Sequence, residues 1–158
     1  MIETIEGIRH IVADEASGTR QMDASVVIPL ARQDDTEGRY SLFEVRDVPN
    51  SGPPMHRHTR EDEAFYILEG EYEIYSPDGL IMRARPGTYV HVTRGTAQAY
   101  KCVGPSEGRM LVIASPGGLE RFFEELGALS ASGQSGDFGA VAAVADRHGI
   151  EVVGPPPA

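Results

Sequence analysis

Between Tyr40 and Ala114 glycine and proline interrupt the chain at short intervals, and the runs left between them are short and mostly alternating. Tyr40 to Val48 places Phe43 and Val45 on one face and Leu42 and Glu44 on the other. Ala64 to Leu68, Glu71 to Tyr75, Leu80 to Arg85, Thr88 to Val92, Thr96 to Val103 and Met110 to Ala114 follow as further strands. Ser76-Pro77-Asp78-Gly79 carries proline and glycine where a type I turn takes them. A period of two sends successive side chains to opposite faces. Many short strands separated by turn residues fold as a sandwich or barrel, so the expected class is all-β.

The flanks read differently. Residues 1–30 hold two or three extended segments, with Ile11-Val12 and Val26-Val27-Ile28 as sheet-packing residues. After Ser115-Pro116-Gly117-Gly118 the period lengthens. Leu119, Phe122, Phe123 and Leu126 fall on one helical face, with Gly127 as the expected stop. Residues 128–136 read as a flexible link, and Asp137 as the cap of a second helix bearing Phe138, Val141 and Ala145 and ending at Gly149. The tail from Glu151 to Pro157 reads as extended along the domain. The division expected is a β region over 1–114 and a helical extension over 115–158, with both helices as packing elements.

Composition limits the partners. The chain has 158 residues, enough for one domain, with 41% apolar and 24% charged residues. Its net charge of -10 disfavours nucleic acid and anionic membranes. Cys102 is the single cysteine, which excludes an intrachain disulfide and fits a reducing cytoplasm. The N-terminus lacks a basic region followed by an apolar run, and no stretch reaches the roughly 18 apolar residues of a spanning helix.

Chemistry concentrates in residues 52–70, GPPMHRHTREDEAFYILEG. His56 and His58 stand two apart, so on a strand both imidazoles enter the same space while Arg57 faces away. Gly52-Pro53-Pro54 breaks the chain before them, Glu63 opens the next strand, and Gly70 ends it. Two imidazoles and one carboxylate can occupy one face of an octahedral metal and leave the other positions open. His91, on a strand between Val90 and Val92, has no spaced partner and reads as a structural or surface residue; His10 and His148 are also read as structural or surface, and Cys102 as a buried small hydrophobe.

The spacing of His56, His58, Glu63 and Gly70 resembles the first motif of the cupin superfamily: His-x-His, three or four residues, Glu, six residues, Gly. The glycine usual six residues before the first histidine is replaced by Asn50. The second motif is weaker and spans residues 87–102. Gly87 and Gly95 match it, while Thr93, Gln98 and Cys102 stand where proline, histidine and asparagine are usual. The resemblance, closest to small single-domain bacterial cupins likened to quercetin dioxygenases, implies a single double-stranded β-helix barrel, jelly-roll-like, with the helices packed outside.

The same resemblance implies a ligand set of His56, His58, Glu63 and Gln98 for a divalent transition metal: iron, manganese, nickel or copper. Gln98 stands where the fourth imidazole belongs and is a poorer donor. Three readings follow for it: a weak ligand, a polar anchor for substrate beside a three-ligand metal, or part of a metal-free acid–base pocket. Glu63 would be both ligand and proton acceptor. By strand parity Tyr100, Phe65 and Ile67 line the substrate pocket. The expected activity is an oxygenase acting on a small aromatic or polyketide-like molecule. A non-redox isomerase or cyclase and a non-catalytic small-molecule binder are the alternatives. Cupin pairing through N-terminal strands implies a homodimer.

Overall fold

The computed structural model describes residues 3–158; Met1 and Ile2, at the head of the expected β region, lie outside them. The elements are β1 (Glu3–Ile5), β2 (Ile8–His10), β3 (Arg20–Gln21), β4 (Ser25–Ala31), β5 (Ser41–Asp47), β6 (His56–His58), β7 (Asp62–Glu69), β8 (Glu71–Ser76), β9 (Gly79–Ala84), β10 (Tyr89–Val92), β11 (Ala99–Val103), β12 (Gly108–Ser115), α1 (Glu120–Ala131), α2 (Phe138–Arg147) and β13 (Ile150–Val152). β1 and β2 form a separate hairpin.

Two sheets enclose the core. One has the order β10-β7-β12-β5-β4-β3, the other β11-β8-β9. All their pairings are antiparallel. Phe43 and Val45 on β5, Phe65 and Ile67 on β7, and Met110 and Val112 on β12 face inward. They meet Tyr72 and Ile74 on β8 and Cys102 on β11 in one cluster. The expected alternation on β5 holds, but its outer face is covered too. Glu44 is buried there, held by Arg109 at 2.7 Å and Arg46 at 3.1 Å, which supplies the opposite charges that burial demands.

β6 pairs with β13 on one edge and touches Gln98 on the other through an isolated bridge. The predicted strand Thr96–Val103 therefore begins only at Ala99, because the Thr93–Thr96 turn reaches back to close on itself (Thr96 N–H to Thr93 O, 3.0 Å). The two sheets face each other across the core, in the all-β double-stranded arrangement expected.

Three expectations on the flanks are corrected. Val12 is 58% exposed and no part of the core, because the β1–β2 hairpin ends before it and a one-turn 3-10 helix follows. Gly127 does not stop α1, which continues to Ala131. Gly127 is buried mid-helix, where a Cβ would lie 3.0 Å from Arg20 Cδ, so its lack of a side chain serves close packing. The expected link over 128–136 is accordingly helical in its first part. Asp137 caps α2 as predicted, accepting from Ala140 N–H at 3.0 Å. The tail is extended and paired. α1 packs on the core through Phe123, whose ring meets Phe43 edge-on at 5.1 Å.

Candidate metal centre

Backbone geometry first fixes where β6 can run. Asn50 adopts φ +66°, the left-handed conformation that asparagine tolerates best after glycine. Its N–H donates to Cys102 O at 2.8 Å, and Ser51 O accepts from Cys102 N–H at 2.8 Å. Gly52 then crosses β11 so closely that a Cβ would lie 1.9 Å from Tyr100 O. This contact and the two prolines deliver the chain to His56. There His56 N–H donates to Gln98 O (3.0 Å) and Gln98 N–H to His56 O (2.8 Å). β13 holds the other edge, with Ile150 opposite His58 and Val152 opposite His56. Arg57 turns outward, as the period of two predicts, and pairs with Glu151 at 2.5 Å.

The two imidazoles are each fixed by their Nδ1. His56 Nδ1 lies 2.8 Å from Pro54 O, a pure acceptor, so this nitrogen donates and Nε2 keeps a lone pair. His58 Nδ1 lies 2.8 Å from Glu61 Oε1. His58 Nε2 is 3.3 Å from Glu63 Oε2. Gln98 Nε2 is 3.3 Å from both His56 Nε2 and Glu63 Oε1. Donor atoms of His56, His58 and Glu63 all lie within 4.8 Å of one another.

The electrostatics of this cluster favour a cation. Burial alone would lower His58, but the carboxylates of Glu63 and Glu61 outweigh it and hold the imidazole above its ordinary value. Burial of the His56 ring, with the positive charge on His58, pushes His56 down to about 4, against the Pro54 carbonyl. Burial raises Glu63, with His58 opposing and Glu61 adding to the rise. His58 thus stands with one acidic side chain at each ring nitrogen, beside the depressed His56.

The residues fit a divalent metal on three observations. Both Nε2 atoms point into one space and both Nδ1 atoms have partners, the arrangement that orients imidazole ligands. His58 Nε2 and Glu63 Oε2, 3.3 Å apart, already stand close to the roughly 3 Å between neighbouring ligands at bonds of about 2.1 Å, and all three donors lie within 4.8 Å, so a small inward movement would complete the set. Gln98 Oε1 is buried with no hydrogen-bond partner. Half a turn of the amide would present that oxygen to the cluster.

The cluster ends a cavity of about 520 Å³. Phe65, Tyr100, Val45 and Val112 line it from the sheets, and Phe122, Leu126 and Val141 from the helices. Phe65 and Tyr100 pack edge-on at 5.6 Å. Tyr100 and Phe65 are where strand parity put them. Ile67, expected beside them, is fully buried in the core and does not line the cavity, because β7 carries it past the cavity's end. His91 is exposed on β10, and His148 bonds Glu125 at 2.9 Å, both apart from the site. Cys102 is fully buried.

Two features escaped the sequence. Glu61 lay in the run Arg60-Glu61-Asp62, which looks like a solvated loop; its spacing of three from His58 was the available signal. The helices and tail, expected as outer packing, form a cavity wall. Amphipathic period alone does not say whether an apolar face meets a core or a cavity.

Residues 43–114 match the family described as "Cupin domain". A quercetin 2,3-dioxygenase of Bacillus subtilis (strain 168) is 26% identical over 128 residues, covering 80% of this chain. The chain spans only 37% of that relative's length. Among solved structures, an ectoine synthase from P. lautus superposes with TM-score 0.62 at 19% identity, over 94% of this chain and 92% of that one. The polyketide cyclase RemF from Streptomyces resistomycificus does so with TM-score 0.58 at 21% identity, over 68% and 79%. These structural likenesses establish a shared fold.

Proposed function

Because this chain is a cupin, with its family domain over residues 43–114, we propose that it is a metal-dependent oxygenase acting on a small aromatic or polyketide-like substrate. The observation carrying this reading is the convergence of His56, His58 and Glu63 at the buried end of a largely apolar cavity. These three residues would hold iron, manganese, nickel or copper, with Gln98 beside them as a weak fourth donor or as a hydrogen-bond donor to Glu63. When bound, such an ion supplies a Lewis acid with open positions and, if redox-active, a route for electrons to dioxygen. Tyr100 and Phe65, packed edge-on against each other in the cavity lining, would give an aromatic substrate ring an apolar surface to lie against. Glu63 accepts the proton of a substrate hydroxyl brought against it. The likeness to a quercetin 2,3-dioxygenase supports the oxygenase assignment.

Gln98 favours a second reading. An amide in place of an imidazole leaves a weaker donor set, better suited to polarising a carbonyl than to redox tuning. The same pocket would then serve an isomerase or cyclase. We expect the protein to act as a cytoplasmic homodimer, which light scattering on the pure protein checks.

Elemental analysis of protein purified without added metal or chelator is the test. The parent and a His91→Ala control should carry near-stoichiometric transition metal, and a His56→Ala/His58→Ala variant none. Equal metal in all three removes the site. With metal established, oxygen uptake with flavonols supports the oxygenase, whereas turnover without uptake moves the assignment to the isomerase or cyclase.

A further inference from the structure

The C-terminal segment does more than cover the fold. Of the residues lining the cavity, those at the metal end, His58 and Glu63, are buried, whereas Asp23, Asn50 and Pro156 are exposed. Solvent therefore meets the cavity on their side. α1 and α2 form one wall through Phe122, Leu126 and Val141, all only half-buried although they face inward. Apolar side chains left half-covered inside a cavity are surface waiting for a ligand.

The first half of α1 is fixed to the sheets: Leu119 is in the core, Glu120 accepts from Ser41 Oγ at 2.6 Å and from Gln33 N–H at 2.9 Å, and Arg32 pairs with Glu124 at 2.9 Å. Beyond it the wall is attached very differently at its two ends. β13 lies in a ladder with β6, extended by Val153 N–H to Met55 O (2.8 Å) and Thr59 N–H to Gly149 O (2.8 Å). The far end, where α1 passes into α2, is held to the sheets by side chains. Ser130 Oγ donates to Asp23 Oδ1 at 2.8 Å, and Ser135 Oγ donates to the other oxygen, Oδ2. Both bonds are exposed and both converge on one carboxylate at the cavity rim. Between these ends α2 is tied to α1 by Arg147 and His148 on Glu125 (2.7 and 2.9 Å), so the two helices are linked as a unit.

We propose that residues 128–149, the end of α1, the following turn and α2, are a substrate-selecting cap, hinged on the anchored first half of α1 and where β13 lies on β6, and latched at the rim by Asp23. Phe122, Leu126 and Val141 shape the wall and set the size of planar apolar molecule admitted. Release of Ser130 and Ser135 from Asp23 opens the rim. The position of His56 and His58 stays fixed meanwhile, because β13 does not leave β6. The inference rests on the aromatic-substrate reading for the ligand it admits, but not for the latch itself.

The test combines two readouts on metal-stripped parent, Asp23→Ala and Phe122→Ala. In stopped-flow binding of the fluorescent flavonol 3-hydroxyflavone, Asp23→Ala should raise association and dissociation rates together, about tenfold each, with Kd little changed. Phe122→Ala should weaken Kd by about tenfold through lost wall contact. Amide exchange in Asp23→Ala should quicken by about tenfold or more at the end of α1 and the following turn, while β6 and β13 amides keep the parent's protection. Parent-like rates and parent-like exchange in Asp23→Ala overturn the latch. Parent-like affinity in Phe122→Ala overturns the selecting wall. If the parent binds no 3-hydroxyflavone, the aromatic-substrate reading and the selecting wall fail together, and exchange alone decides the latch. Faster exchange across β6 as well would mean that Asp23 supports the whole fold, and would also overturn the latch.

Discussion

Gln98 and Glu61 are the two side chains on which the chemistry of the site turns. Gln98 packs against His56 and Glu63 with its oxygen unpaired, so the position already points at the cluster. Gln98→His should therefore strengthen metal binding by about tenfold or more, since imidazole is the better donor to late first-row ions. Competition against a chromogenic chelator measures it. No gain would place residue 98 in the service of the substrate. Glu61 touches no open space, but its carboxylate fixes the His58 ring through Nδ1. Glu61→Gln keeps the size and removes the charge; metal affinity should fall by about 10- to 100-fold with the fold intact, as expected for a ligand's supporting partner. Unchanged affinity would mean that the β6 ladder alone orients His58.

At the scale of elements, the site depends on the approach of the 50–54 segment to β11. Adding one methyl at Gly52 puts a carbon 1.9 Å from Tyr100 O, a backbone atom that cannot swing aside. Gly52→Ala should cost about 3 kcal/mol and reduce metal retention, because the displaced segment leads directly into His56. Gly136→Ala, where an added carbon meets nothing within 4 Å, should stay within about 0.5 kcal/mol of the parent. Urea denaturation of the three proteins reads both numbers. β6 is only three residues long, too short to hold itself, and needs β13 from the far end of the chain as its partner.

For the whole molecule, the buried imidazoles govern stability against pH in the presence of chelator. His56 lies at about 4 when folded against 6.5 when unfolded, so the unfolded chain takes up its proton first. Stability should therefore fall as pH drops from 6.5 through 4, by roughly 3 kcal/mol in all. His58 has the opposite sign. Its folded value is raised, so its contribution is complete below 6.5 and is lost as pH rises through the folded value. Glu63, raised by burial, acts in the same direction as His58 and loses its contribution as pH rises from 4.5 through its folded value, so among the three the loss toward acid belongs to His56. Replacing His56 with asparagine should flatten the acid limb of a denaturation series; an unchanged limb would assign acid lability elsewhere. Among the described residues no helix is long and apolar enough to cross a membrane.

The sequence alone determined the local and the covalent. Period-two runs between glycines and prolines specified the strands, because side-chain alternation is a property of the extended backbone itself. The spacing of His56 and His58 put both imidazoles on one face, because residues two apart on a strand share it; the expected return of the next strand across them does not occur, since β6 pairs with β13 while β7 lies between β10 and β12, so the fold decided that Glu63 joins them. The missing glycine at position 50 was visible, but only the structure shows that Asn50 takes φ +66° there. The tertiary structure alone decided what comes together over long separations. It brought Gln98 against His56 and Glu63, laid β13 beside β6, and left Ile67 in the core while Phe65 reached the cavity. It also made a wall of two helices whose apolar stripes looked like ordinary packing. Such pairings depend on which surfaces meet, and that is fixed by packing of the whole chain and not by the period of any segment.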